Sequence, residues 1–163
     1  MEISVVAAER SDHGVIRNLM ELYAYDFSEI EGFDVEENGR FPHYPLDAYW
    51  QDPLRQPFLI RADGRLAGFS LVHGRSRLSG AEGVWDMAEF FVLRKYRRGG
   101  VGTEAAHRIF ASHPGPWEVR QRASNAGATA FWRRAIGAYT SSKFTEVVLD
   151  DERWRGPVQT FTG

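Results

Sequence analysis

The segment from Val84 to Arg122 constrains the fold of this chain more than any other. It opens with the most apolar run, Val84 to Leu93, and turns through the cations Arg94, Lys95, Arg97 and Arg98 into Gly99, Gly100 and Gly102. An amphipathic pattern follows, with Val101, Ala105 and Ile109 on one face, and a second apolar run covers Trp117 to Arg122. Such a change of period reads as strand, helix, strand. Two strands joined through a helix pair in parallel, with a right-handed crossover. Upstream, the apolar runs Pro57–Ile60 and Leu66–Val72 are joined through Asp63-Gly64, a pair suited to a tight turn with positive φ, and so to an antiparallel hairpin. A chain that contains both units must build a mixed sheet with helices on its faces, of the α/β (α+β) type.

The remaining elements fit around that unit. Ile3–Ala7 reads as a strand, and Ser11 or Asp12 can cap a helix carrying Val15, Leu19, Leu22 and Phe27 inward. From Ser28 to Pro57 the periodicity dissolves among glycines, prolines and carboxylates, apart from a short helical piece at Asp47–Trp50, and Gly74–Gly83 reads as a polar loop. Asn125 opens a last helix with Ala128, Phe131, Trp132, Ala135 and Ile136 inward, and Lys143–Asp150 and Gly156–Thr162 finish as strands. With 163 residues, 43% of them hydrophobic, and no repeat or linker, one domain over residues 1–163 is expected.

Charge and composition exclude several functions. A net charge of −2 argues against a general nucleic-acid binder. No apolar run is long enough to cross a bilayer, and the N-terminal apolar stretch reads as a strand, not a signal peptide. There is no cysteine, which removes disulfides, thiolate metal sites and a cysteinyl intermediate. It fits a reducing compartment, with the cytoplasm as the expected location. His13, His43, His73, His107 and His113 lack metal-ligand spacing, so no metal is expected.

The glycines admit three readings. Gly100 to Ala105 matches the dinucleotide pattern G-x-G-x-x-A. However, six residues, Arg94–Gly99, separate it from the strand end, and the acidic candidate Glu118 lies inside the next strand instead of at its end. A P-loop fails because no Gly-Lys-Ser/Thr follows. What remains is either a solvated basic turn or a cradle whose backbone amides, at a helix N-terminus, face a compact polyanion such as a pyrophosphate. Arginines beside it would add bidentate contacts.

Arg97-Arg98-Gly99-Gly100-Val101-Gly102 resembles the Arg/Gln-x-x-Gly-x-Gly/Ala coenzyme A loop of the GCN5-related N-acetyltransferase (GNAT) family. Glu89 to Tyr96 resembles that family's fourth strand and its exit, and Ser124–Gly137 its next strand-helix junction, with Asn125, Ala128, Phe131 and Gly137 in the matching places. Element order agrees over essentially the whole chain, with a longer irregular insert before Pro57. The resemblance implies a mostly antiparallel sheet of about six to seven strands flanked by helices, and acetyl-CoA as cosubstrate. It implies that the amides from Arg98 to Thr103 (Arg98, Gly99, Gly100, Val101, Gly102, Thr103) hold the pyrophosphate, with side-chain charge from Arg97 or Arg98. The backbone around Phe91, Val92 and Leu93 would pair with the pantetheine arm. Asn125 either reaches that arm or only caps its helix, or does both.

Acetyl transfer to an amine requires a neutral amine, a polarised carbonyl and a protonated leaving thiolate. Asp86 and Glu89 are carboxylates inside an apolar strand, where burial raises the pKa. Three positions apart, they point to opposite faces unless a bulge intervenes. Glu89, nearer the expected acetyl site, is the favoured base, and a structural role is open for either. Many relatives carry tyrosine where this chain has Trp132, whose indole donates a hydrogen bond but cannot deliver a proton. Trp132 would pack on the coenzyme or in the core, and Tyr139 and Ser142 lie downstream as alternative acids. On the acceptor side, Tyr23, Tyr25, Asp26, Glu29, Glu31, Asp34, His43, Tyr44 and Trp50 combine carboxylates with aromatics that would suit a cationic amine. The expected activity is direct ternary-complex N-acetylation of a small-molecule or peptide amine, with a non-catalytic acyl-CoA-binding or regulatory domain as the alternative. The motifs imply no nucleic-acid or membrane partner and leave a homodimer open.

Overall fold

The computed structural model describes residues 1–163, and it places seven strands in one sheet. The strands are β1 (Ile3–Ala7), β2 (Arg55–Ala62), β3 (Arg65–Arg75), β4 (Glu82–Val92), β5 (Pro116–Arg120), β6 (Thr145–Asp150) and β7 (Arg155–Thr162). The helices are α1 (His13–Glu31), α2 (Ala48–Gln51), α3 (Val101–Ser112) and α4 (Ala126–Thr140). Across the sheet the order is β1-β2-β3-β4-β5-β7-β6. Every neighbouring pair is antiparallel except β4 and β5, which are parallel as the crossover through α3 requires. The β2–β3 turn has φ of 48° at Asp63 and 73° at Gly64, a primed hairpin turn.

Alternation along the strands sends successive side chains to two cores. Phe110, Ile109, Trp132 and Ile136 cover one face of the sheet over Val72, Trp117 and Phe161. Ile16, Leu19 and Tyr49 cover the other over Leu59, Phe69 and Leu71. Three expectations need correction here. Leu22 is 50% exposed, because the inward stripe of α1 runs through Ile16 and Leu19 and rotates Leu22 outward. The irregular segment begins after Gly32, since α1 continues to Glu31 and is stopped by Gly32 at φ 72°, whose N–H bonds the Ser28 carbonyl. Strand β3 extends to Arg75, into the expected polar loop.

Two features of β4 create the site. Its parallel pairing with β5 is confined to Trp85–Trp117 and Asp86–Glu118, so the rest of β4 runs on to Val92 without a strand on that side. The register with β3 also slips: Leu71 faces Glu89 while Val72 faces Met87, leaving Ala88 as the extra residue of a bulge. Across the bulge, residues three apart share a face. Met87 and Phe90 both pack toward the α3–α4 core, while Ala88 and Phe91 both pack toward the α1 core. Asp86 and Glu89 therefore come to the same side of the sheet.

Candidate active site

Where β4 and β5 part, a cleft of about 1610 Å³ opens between α1 and the N-terminal ends of α3 and α4. Glu89 lies on its wall and accepts a hydrogen bond from the Tyr23 hydroxyl at 2.7 Å. Protein packs densely around this carboxyl, although the cleft leaves one side open to water. Burial pushes its pKa up to about 7, with the bond from Tyr23 and the charge of Arg120 pulling the other way. The Tyr23 phenol is itself raised, first by burial and then by Glu89, so it stays a donor. The Ser70 hydroxyl donates to the Glu89 carbonyl at 3.1 Å and holds the bulge in place.

Asp86 has a different environment. It is 2% exposed, and Arg120 bonds both of its oxygens at 2.9–3.1 Å. Burial raises its pKa against the pull of Arg120. Glu89 has no such cation in contact. Asp86→Asn should leave a buried guanidinium without its counter-charge and lower stability by about 3 kcal/mol. Thermal denaturation checks this, and an unchanged Tm would mean that Arg120 finds another partner.

The basic turn after β4 resolves into distinct parts. Arg94 and Arg97 both bind Asp26, holding it below the usual carboxylate range despite its partial burial, and the Arg97 Nε also donates to the Val92 carbonyl at 2.7 Å. Neither is a free cation. Arg98, at φ 64°, forms no ion pair and lines the cleft. Gly100 caps α3 at φ 85°, a region where only glycine is unstrained. The first amide bonded back onto the turn is that of Glu104, to Gly100 at 3.0 Å, which leaves the amides of Val101, Gly102 and Thr103 outside the helical ladder.

Of the residues expected to bind coenzyme, Phe91, Val92, Arg97, Arg98, Gly100, Gly102, Thr103, Asn125 and Trp132 line the cleft, whereas Leu93, Gly99 and Val101 do not. The Val101 side chain is fully buried in the core, and the Leu93 amide bonds the Ala67 carbonyl. Asn125 caps α4, its side-chain oxygen accepting from the Ala128 amide at 3.1 Å, with its NH₂ left for other partners. Trp132 is only 6% exposed and packs against Phe90 and Phe131, so it is mainly a core residue that touches the cleft. Tyr139 packs on His107 and Phe110, and neither it nor Ser142 reaches the cleft, so neither is placed to protonate a leaving group there.

The acceptor side departs from the acidic picture. Glu29, Glu31 and Asp34 lie outside the cleft, Glu31 accepting a bond from Ser124, and Asp26 is spent on two arginines. Tyr25 is 67% exposed, and Trp50 donates to the Ala8 carbonyl at 3.0 Å. Tyr23, His43 and Tyr44 do line the cleft.

A family model described as the acetyltransferase (GNAT) family matches residues 14–138. The chain belongs to this family. No curated protein matches it in sequence. Among solved structures, the GNAT chain is similar to spermidine N-acetyltransferase from Vibrio cholerae, in complex with CoA and spermine. The identity is 12%, the TM-score 0.64, and the coverage 98% of this chain and 95% of the other. An acetyltransferase from Thermus thermophilus superposes with a TM-score of 0.71 at 14% identity, covering 99% and 97%. A Salmonella typhimurium protein solved with its cofactor acetyl-CoA gives 0.63 at 12% identity, covering 99% and 94%. At these identities the neighbours establish the GNAT fold. No helix of the chain is long and apolar enough to cross a membrane.

Proposed function

We propose that this chain transfers the acetyl group of acetyl-CoA to a small-molecule amine within one ternary complex, with Glu89 as the base. The observation that carries the reading is Glu89 itself: a carboxyl with a pKa near 7, free of any ion pair, inside the opening between β4 and β5. A base with that pKa is half ionised near neutrality and still accepts a proton readily. The amine attacks the thioester carbonyl, its proton passes to Glu89 directly or through water, and the C–S bond breaks. With Trp132 in the last helix and no phenol beside it, the thiolate takes its proton from water. The unpaired side of β4 and the free amides at the start of α3 support a pantetheine arm along Phe91 and Val92 and a pyrophosphate at Arg98–Thr103. A binding-only domain would have little use for a raised, uncompensated carboxyl in this position.

Two measurements test the reading. Calorimetry with acetyl-CoA should give saturable binding, and none up to about 1 mM would sink it. Thiol release across a panel of amines should follow, and binding without release would leave the non-catalytic alternative. Within the phosphate loop, shape should matter more than charge. Gly100→Val, forced out of its φ of 85°, should weaken acetyl-CoA binding by on the order of tenfold to a hundredfold, and more than Arg98→Ala does. If Arg98→Ala is the worse variant, the arginine and not the amide cradle carries the pyrophosphate.

A further inference from the structure

The acceptor end of the cleft carries an arginine wall that phosphate binding does not explain. Arg55, Arg75, Arg77, Arg120 and Arg122 line the cleft, whose carboxyls are Glu21, Asp26, Asp86 and Glu89, with Asp26 already bound by Arg94 and Arg97. Arg75 pairs in register with Glu82 at the start of β4, and Arg120 on β5 reaches Asp86, whereas the phosphate loop follows Val92. From Asp86 to Val92, six steps at about 3.3 Å each span roughly 20 Å, so the Asp86–Arg120 pair and the phosphate loop lie on opposite sides of Glu89.

Three of the five guanidiniums are neutralised. Arg120 is bound by Asp86, Arg75 pairs with Glu82 at 2.9 Å, and Arg55 pairs with Asp52 at 3.4 Å. Arg77 and Arg122 have no carboxylate within ion-pair distance. Arg122 nevertheless sits beside a like charge: its guanidinium and that of Arg120 lie 5.3 and 4.5 Å from the Trp154 ring, which is itself fixed by its N–H to the Gln121 carbonyl. Arg77 is close enough to Asp86 to be felt by it. Next to Arg55, the Nε2 of His73 is buried and has no hydrogen bond, with Asp52 too far away at 3.9 Å. The wall therefore holds two unneutralised guanidiniums and an orphan ring nitrogen.

Resting on the transferase reading above, we infer that this wall selects an acceptor with a carboxylate beside its amine, an amino-acid-like zwitterion instead of a polycation. The carboxylate meets Arg77 and Arg122, whose planar forks suit bidentate bonds, while the amine is turned toward Glu89. A polyamine would place several positive charges against an excess of arginines, at a cost in a cleft only partly screened by water. The aromatic side chains Tyr23, Tyr44 and Tyr49 then pack the apolar part of the acceptor.

The test titrates matched pairs into the CoA-loaded protein by calorimetry: phenylalanine against phenethylamine, methionine against methioninamide, and spermidine as the polycation. Thiol release with acetyl-CoA is read on the same panel. Carboxylate-bearing members should bind more tightly by on the order of tenfold or more. Arg77→Ala with Arg122→Ala should erase that preference while acetyl-CoA affinity stays as in the wild type. Equal affinity within each pair, preference for spermidine, or no binding by any member overturns the inference. Failure of acetyl-CoA itself to bind overturns the transferase reading instead, so the two failures are told apart.

Discussion

Glu89→Gln is expected to lower kcat by on the order of a hundredfold to ten-thousandfold, the range that a positioned base contributes. The amide keeps the shape of the carboxyl and can still accept from the Tyr23 hydroxyl, so acetyl-CoA affinity should barely change. The pH profile carries the sharper signature. The active form is the carboxylate and its pKa in the fold is about 7. Below pH 7, wild-type kcat/KM should thus fall by about an extra tenfold per pH unit, on top of the acceptor amine's own ionisation, whereas the variant shows the amine's limb alone. Stability should move in the opposite sense. The ordinary value is 4.5 and the folded value about 7, so the native state holds a proton that the unfolded chain releases. Stability is full below 4.5 and declines as pH rises through 7. That displacement corresponds to about 3 kcal/mol if fully expressed, and less is expected because water reaches one side of the carboxyl. Glu89→Gln should keep its Tm over the same window. A variant that retains wild-type kcat and the wild-type pH limb would remove Glu89 from the mechanism.

The legibility of Glu89 in the sequence was partial for a definite physical reason. Element order follows from periodicity, because burial on one face imposes period two on strands and about 3.6 on helices, and the turn at Asp63-Gly64 fixes the hairpin. The bulge at Ala88 leaves no such signature. It is set by how β3 and β4 settle against two different cores, and it alone decides that Asp86 and Glu89 share a side. Pairings between distant segments were equally hidden, including Arg120 with Asp86 and Asp26 with Arg94 and Arg97. A nearby carboxylate and a nearby arginine look the same in a sequence whether they bind a ligand or one another. One signal was readable: His73, Arg75 and Arg77, and likewise Arg120 and Arg122, recur two apart, running from β3 into the turn after it and from β5 into the loop after it. That pattern marks the arginine wall more directly than the carboxylates of the irregular segment marked an acidic one.

The largest structural effect is expected from Gly68→Ala, a change of one methyl group. Gly68 lies on β3 opposite Val92, where β4 leaves the sheet. A Cβ there would stand 1.9 Å from the Phe91 carbonyl oxygen, 3.0 Å from its carbon and 3.1 Å from the Val92 Cα. All three are backbone atoms, so no side-chain rotation relieves the clash, and the end of β4 has to move by more than an ångström. Three things move with it: the pairing of Phe69 with Phe91, the aromatic contact of Phe91 with Tyr23, and the Val92 carbonyl that anchors Arg97. Overpacking of a well-filled site costs about 1–3 kcal/mol when side chains can adjust, and here they cannot. The loss should therefore be about 3 kcal/mol or more, lowering Tm by roughly 10 °C for a chain of this size. Acetyl-CoA affinity should fall with it, because the displaced strand end carries the Phe91–Val92 edge and leads into the phosphate loop. Gly14→Ala is the matched control: it lies in α1 with nothing within 4 Å of the added carbon, and replacing a helical glycine should stabilise by about 0.5–1 kcal/mol. A Gly68→Ala protein that melts with the wild type and binds acetyl-CoA as tightly would mean that β3 and β4 can part at this point without cost, and that the coenzyme edge does not depend on their close approach.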